Sequence, residues 1–368
     1  MRVLYVNQWG GLGGAEISLL RVLERLRHHS ITPMLACPPG DLAERARALG
    51  VTVLEVEFPA LRRGRRLREE DACRLREAVA RADLVHAYSV RVGWFAGRLC
   101  DQMKVPMVWS VHDLFAFPWQ RMWLRGVAQR YAQAVVAYSQ AIQRQFGKGL
   151  DHKLHYIPHG VDPTLFSPQP PTARAEVRKH FHTAADVPVI VHVGRIMPFK
   201  GQHLFLRMAR RLRSKHPQAV FWLAGDATMG DWRYARKVKA MSTSLSPQVR
   251  WLGFQHDIAR VLGAADVLVH CSTRPEPFGL VILEAMACGT AVVSANSGGP
   301  REIIENGQTG LLTPSNNSKA LAAAVCTLLV DAPRRYKMAA AARQKVCDAY
   351  TLDQHVQRLL ALYKKALS

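Results

Sequence analysis

Residues 274–289 read R-P-E-P-F-G-L-V-I-L-E-A-M-A-C-G, and the character of the chain changes within them. Pro275 and Pro277 keep the front of the stretch out of a helix, because proline lacks an amide donor and restricts the residue before it. From Leu280 to Ala287 the residues are good helix formers and mostly apolar, which predicts a short buried helix closed by Gly289. The N–H groups of Phe278, Gly279 and Leu280 then stand at a helix start, where unshared donors and the helix dipole favour an anion such as phosphate. Glu276 lies just before that start and Glu284 one turn inside. A carboxylate on an otherwise apolar helix is unfavourable to bury without partners, so the two acids point to hydroxyl-rich groups on either side of a phosphate.

Upstream, the apolar run Pro188–Val193 leads into V-G-R-I-M-P-F-K-G at 193–201. Arg195 and Lys200 stand across one loop and can converge on a diphosphate, the first as a fork of donors and the second as a point charge. At the front of the chain, a short strand at Val3–Val6 runs into N-Q-W-G-G-L-G-G-A-E at 7–16, followed by Ile17, Leu19, Leu20, Leu23 and Leu26 at helical spacing. Strand, glycine loop and helix open a doubly wound sheet, and Gly13 and Gly14 let backbone approach a ligand. A dinucleotide fingerprint starting at Gly11 would need glycine at position 16, where Glu16 stands. Strands and helices go on alternating. The strand Val105–Val111 ends in His112-Asp113, at the strand end where parallel sheets place their sites. Leu114–Arg125 mixes aromatics with arginines, which suits a membrane interface, an acceptor groove or an ordinary packed loop. Pro163–Pro171 reads as an interdomain linker.

Glu276–Gly289 fits E-P-F-G-x-x-x-x-E-A-x-A-x-G throughout, and Gly194–Gly201 fits G-R-x-x-x-x-K-G. Both resemble the signature of the retaining glycosyltransferases of family four (glycosyl transferases group 1). The match is specific over residues 188–312 and looser over 1–166. The resemblance implies an α/β chain of the GT-B class, with two Rossmann-like doubly wound domains facing each other across a cleft. Residues 1–166 would bind the acceptor and 167–351 the nucleotide sugar, with a C-terminal helix at 352–367 crossing back to the first domain. The implied reaction is metal-independent hexosyl transfer, with retention, from a UDP- or GDP-sugar to a hydroxyl of a glycan or lipid-linked acceptor, as in lipopolysaccharide or other cell-envelope glycan synthesis. By resemblance, His112 and Glu276 hold the transferred sugar, and Arg195 and Lys200 neutralise the diphosphate. Gly13, Gly14, Phe254, Phe278, Gly279, Leu280 and Glu284 complete the donor site, and Glu16 faces the acceptor. No metal and no separate cofactor are implied. Pro158-His159-Gly160-Val161-Asp162 departs from the family's usual P-N-G-V-D by placing histidine at 159.

The bulk composition agrees with a globular chain. Of 368 residues, 49% are apolar and 21% charged, enough for two cores. No stretch approaches the ~20 apolar residues that span a bilayer, and Met1 leads into a strand with no signal-peptide pattern. The expected location is the cytoplasm, free or peripheral on the inner face of the membrane. The seven cysteines are scattered without a C-x-x-C pair, which favours neither a disulfide framework nor a zinc site. The net charge of +22 is spread along the chain, with Lys+Arg against Asp+Glu at 23 to 15 over residues 1–166 and 27 to 13 over the remainder. Leu61–Arg68 alone holds five arginines. Such a field attracts anionic partners. With no helix-turn-helix, RNA-recognition or zinc-finger signature, an anionic membrane surface is preferred to nucleic acid, and a merely solvated basic surface stays open beside it. Two other readings stay open: an NAD-dependent sugar-nucleotide enzyme, disfavoured by Glu16, and a non-catalytic nucleotide-sugar-binding protein on the same frame.

Overall fold

The computed structural model describes residues 1–59, 66–227 and 231–368, so most of the arginine-rich stretch at 61–68 lies outside the described residues. Contacts gather the chain into two compact units, one of Met1–Gly160 with Leu352–Ser368 and the other of Val161–Thr351. The proline-rich stretch 163–171 thus falls within the second unit, where Phe166 is buried and Pro168 packs beside Gly289.

The first unit runs β1 (Arg2–Val6), α1 (Gly14–Leu26), β2 (Thr32–Cys37), α2 (Asp41–Ala48), β3 (Thr52–Glu55), α3 (Glu69–Arg81), β4 (Leu84–Ala87), α4 (Val90–Met103), β5 (Met107–Val111), α5 (Pro118–Tyr131), β6 (Ala134–Ala137), α6 (Gln140–Arg144) and β7 (Leu154–Tyr156). The second runs α7 (Pro171–His180), β8 (Val189–Val193), α8 (Gln202–Leu212), β9 (Val220–Ala224), α9 (Trp232–Thr243), β10 (Val249–Gly253), α10 (Ile258–Ala264), β11 (Val267–His270), α11 (Leu280–Ala287), β12 (Ala291–Ala295), α12 (Pro300–Ile303), β13 (Leu311–Thr313), α13 (Ser318–Val330) and α14 (Ala332–Ala349), after which α15 (Leu352–Leu367) belongs to the first unit again.

Each unit is one parallel sheet. The strand orders are β3-β2-β1-β4-β5-β6-β7 and β10-β9-β8-β11-β12-β13. The strands are apolar runs rather than alternating ones, because helices cover both faces of a parallel sheet; every residue of β4, β6, β9 and β12 is buried. The strand order reverses between β1 and β4 in the first sheet and between β8 and β11 in the second, and ligands bind such sheets beyond the strand ends at these points. Among the described residues no helix is long and apolar enough to cross a membrane. All seven cysteines are free thiols, with Cys37, Cys100, Cys271 and Cys288 buried.

Residues 114–125 carry the start of α5 and not only a packed loop. Pro118 occupies the first helical position, where its missing N–H and fixed φ do no harm, and the Gln120 side chain accepts from the Phe117 N–H at 3.3 Å.

α15 closes the first unit through a mostly apolar buried face that also carries His355 and Tyr363. The Tyr363 hydroxyl lies 2.7 Å from that of Tyr5 and 2.5 Å from His86 Nδ1. His86 Nε2 meets Ser110 Oγ at 2.7 Å, and Ser110 meets the Tyr138 hydroxyl at 2.8 Å. His159 lies flat on Tyr138 with ring centres 3.7 Å apart, and its Nδ1 is 3.0 Å from Ser18 Oγ. His355 donates from Nδ1 to the Pro158 carbonyl at 2.8 Å. Outside this layer, Arg25 of α1 pairs with Asp353 at 3.0 Å.

Candidate functional site

The second unit's site grows from three loops at the ends of β8, β11 and β12. The β8 loop leaves at Gly194, forms a 3-10 turn at Pro198–Lys200 and re-enters α8 through Gly201. Gly201 has φ +78°, and a Cβ there would lie 2.0 Å from the Cys271 carbonyl oxygen, so only glycine lets the β8 and β11 loops touch. Gln202, fully buried, donates from Nε2 to the Arg195 carbonyl at 2.8 Å and holds the loop from beneath.

The β11 loop carries Glu276. Its Oε1 and Oε2 accept from Lys200 Nζ at 2.8 and 3.0 Å, and Oε2 also accepts from Ser272 Oγ at 2.7 Å. His270 Nε2 lies 3.4 Å from the same oxygen, and the other ring nitrogen of His270 faces Ser294 Oγ at 3.1 Å. His270 and Ser294 are register partners on β11 and β12. Burial alone would push the Glu276 carboxyl up, but the Lys200 charge and the His270 contact outweigh it and hold the group well below the usual carboxylate range. A carboxylate offers about four lone-pair directions, and these donors take nearly all of them. A further hydroxyl can be received only if one donor turns away.

The β12 loop braces the acid from behind. Gly298 bridges Glu276 in parallel, and the Gly299 N–H donates to the Glu276 carbonyl at 2.8 Å. Gly298 has φ +72°, and a Cβ on it would lie 2.1 Å from the Glu276 carbonyl oxygen. Gly298→Ala is therefore expected to destabilise the second unit by about 2–4 kcal/mol and to displace the acid, as measured by urea unfolding.

After Glu276 the chain turns into α11 through Gly279 in the left-handed region, φ +108°. The apolar run forms the buried helix, and the Thr290 N–H returns to the Ala285 carbonyl to close it beside Gly289. Glu284 is buried on α11, 8% exposed. Lys200 and Glu276 thus pair across the β8 and β11 loops, and the 278–280 turn leads from the second of these loops into α11, which carries Glu284. Arg195 shares the Lys200 loop and is solvent-exposed. Phe254 follows β10 at the sheet edge, 42% exposed, with its ring edge-on to His256 at 5.0 Å. It stands two strands away from β8.

In the first unit, Gly13 caps α1 and Gly14 is its first residue. A side chain at Gly13 would be crowded: its Cβ would lie 2.9 Å from Glu16 Oε2 and 3.1 Å from the Trp9 ring, which would also come within 2.6 Å of a Cβ on Gly11. Glu16 is buried, with Oε1 accepting from Asn7 Nδ2 at 3.2 Å. His112 follows β5 and packs between Tyr138 and Tyr88, ring centres 4.5 and 4.6 Å away. The residue keeps partial exposure, yet its Nε2 is sealed and has no hydrogen-bond partner among the described residues. Burial, then repulsion from His355, pulls its pKa down to about 3, so it is a neutral imidazole near pH 7.

Sequence reasoning passed over His270, Ser272, Ser294 and Gln202. His270 and Ser294 were visible only as polar residues ending apolar strands, and their pairing depends on register.

The profile described as Glycosyl transferases group 1 matches residues 173–345, and that described as Glycosyltransferase Family 4 matches residues 12–165. The chain is 32% identical over 288 residues to the glycogen synthase of Mycobacterium tuberculosis, covering 72% of this chain and 64% of that one, slightly under two thirds of the relative's length. It is 31% identical over 335 residues to the D-inositol 3-phosphate glycosyltransferase of Kineococcus radiotolerans, covering 79% of this chain and 73% of that one. Among solved structures, Anabaena Alr3699/HepE in complex with UDP-glucose superposes with a TM-score of 0.90 at 27% identity, covering 99% of this chain and all of that chain. Matching profiles over both units, a relative above 30% identity and two doubly wound parallel sheets agree: the chain belongs to the family-four glycosyltransferases and has the GT-B fold.

Proposed function

We propose that this glycosyltransferase moves a hexose from a uridine-diphosphate sugar to an acceptor hydroxyl with retention and without a metal ion, in the assembly of a cell-envelope glycan such as lipopolysaccharide. The observation that carries the reading is the Lys200–Glu276 pair, placed at adjacent strand ends beside the start of α11. A UDP donor is favoured over GDP by the resemblance to Alr3699/HepE, whose structure holds UDP-glucose.

In this mechanism the bond between the anomeric carbon and the diphosphate oxygen breaks, and its electron pair stays on the diphosphate. Arg195, Lys200 and the N–H groups at the start of α11 stabilise that charge. The acceptor hydroxyl joins the anomeric carbon from the same face, and its proton passes to the departing phosphate oxygen. Lys200 has a second task. When its ammonium turns from Glu276 to the diphosphate, it releases lone pairs of the carboxylate for a sugar hydroxyl. The sugar pocket would then open only as the phosphate is gripped. Glu284 would accept from the ribose hydroxyls.

Isothermal titration with UDP tests the donor assignment. Glu284→Ala is expected to weaken UDP binding about 10- to 100-fold, the loss of a charge-assisted pair of hydrogen bonds. UDP release from UDP-sugars is expected to continue in EDTA, and the anomeric NMR signal of the product is expected to keep the donor's configuration. An absence of binding heat with every nucleoside diphosphate would sink the assignment, as would activity that EDTA abolishes and magnesium restores.

A further inference from the structure

The first unit carries an apolar wedge that no described residue covers. Phe117, Trp119 and Met122 are 57, 63 and 72% exposed, the first two with rings stacked 6.3 Å apart. Large side chains clustered in this way on water mark an interaction surface, whereas scattered ones do not. The wedge is preformed, since Pro118 and the Gln120 cap fix the entry into α5, and little order has to be gained on docking.

The surroundings of the wedge are cationic. Between Asp113 and Asp151 the chain holds five arginines and lysines, from Arg121 to Lys148, and no carboxylate. Arg121, Met122, Arg125, Arg144 and Phe146 line one shallow surface cleft beside the wedge. Arg121 donates from Nε to the Phe115 carbonyl at 2.9 Å, and Arg125 from Nη1 to the Phe146 carbonyl at 3.4 Å. These bonds orient the two guanidinium groups without neutralising them.

We propose that this face docks the protein on an anionic phospholipid surface, with Phe117, Trp119 and Met122 entering the headgroup–acyl boundary and Arg121 and Arg125 meeting lipid phosphates. The chemistry of the face selects this occupant. Tryptophan and phenylalanine beside arginine suit an interface that is apolar on one side and negatively charged on the other. A protein partner would be expected to supply carboxylates against the arginines and a socket for the wedge.

Co-sedimentation of the full chain with vesicles tests it. Binding is expected with vesicles rich in phosphatidylglycerol, little with pure phosphatidylcholine, and less as salt is raised. Arg121→Glu/Arg125→Glu and, separately, Trp119→Ser/Met122→Ser are each expected to lower the partition coefficient about tenfold or more. The mutated side chains are surface groups, so melting temperatures are expected to stay within a few degrees of the parent. Failure to bind anionic vesicles overturns the proposal. Equal binding to neutral ones, or binding that survives both variants, does the same. A self-association in sedimentation velocity that Trp119→Ser/Met122→Ser abolishes, without vesicle binding, assigns the face to a second copy instead.

Discussion

Glu276→Ala lowers kcat by about two to four orders of magnitude, a larger effect than any other single substitution in the second unit. The acid stands where four contacts meet, and its removal strands Lys200, Ser272 and His270 at once. Leaving a mostly buried ammonium unmatched destabilises by about 2–4 kcal/mol, so activity must be measured well below the variant's melting range. Glu276→Gln separates the two effects. It keeps the shape and a hydrogen-bond acceptor but not the charge, and it recovers part of the stability and little of the turnover.

Acidity gives an independent check on the same residue. The folded-state pKa is depressed, so the pair contributes stability that is fully present above the unfolded carboxyl's value, about 4.3, and is lost as pH falls from there toward the folded value. The stability difference between the parent and Glu276→Gln is expected to be flat from pH 8 to about 5 and to shrink only below about 4.3. A difference that already declines near neutrality would falsify the description of Glu276 as a permanently ionised partner of Lys200.

Acidification to pH 5 strips the first unit of most of its stability. His86, His112, His159 and His355 are held neutral inside it, each by burial first and then by mutual repulsion or a nearby arginine, Arg21 for His159 and Arg358 for His355. His112 is pulled down to about 3 and His355 to about 4; His86 and His159 lie well below the ordinary 6.5. Tyr88, pushed up to about 12 by burial, remains protonated alongside them. The sign follows from which state takes up protons. Above pH 6.5 neither state binds them at these rings, and their contribution is complete. Below it the unfolded chain binds them and the folded unit does not, so each ring removes about 1.4 kcal/mol per pH unit. Four rings together reach several kcal/mol by pH 5, the same order as the whole stability of a domain, ~5–15 kcal/mol. Calorimetry across pH 7.5 to 5 measures this. His159→Asn, which restores the residue usual in the family, is expected to flatten the dependence by about one proton. A first-unit transition that does not move over this range would refute the neutral cluster.

Much of the architecture is legible in the sequence because it is encoded locally. The apolar run after Gly279, the glycine at 289 and the strand–glycine–helix opening each state their conformation within a dozen residues. The same holds for the meeting of Lys200 and Glu276, because each sits a few residues past the end of a strand and the two strands are neighbours. What escaped depends on register and on contacts distant in sequence. His270 meets Ser294 only because β11 and β12 pair in one register, and Gly298 matters because its backbone touches Glu276. The start of α5 was hidden because aromatics and arginines there follow no burial period, its apolar residues facing water. At Gly13 the absent side chain reads as room for a ligand, whereas Glu16 and Trp9 border that room.

The return of α15 to the first unit has a consequence for how the molecule is made. Tyr363, which joins Tyr5 to His86, leaves the ribosome only after the whole of Val161–Thr351 has been translated. The unit that starts first therefore finishes last, and its sheet waits with one flank unsealed while the inserted unit folds ahead of it. Nascent chains stalled before residue 352 should accordingly recruit chaperones to the early-made unit and not to the later one.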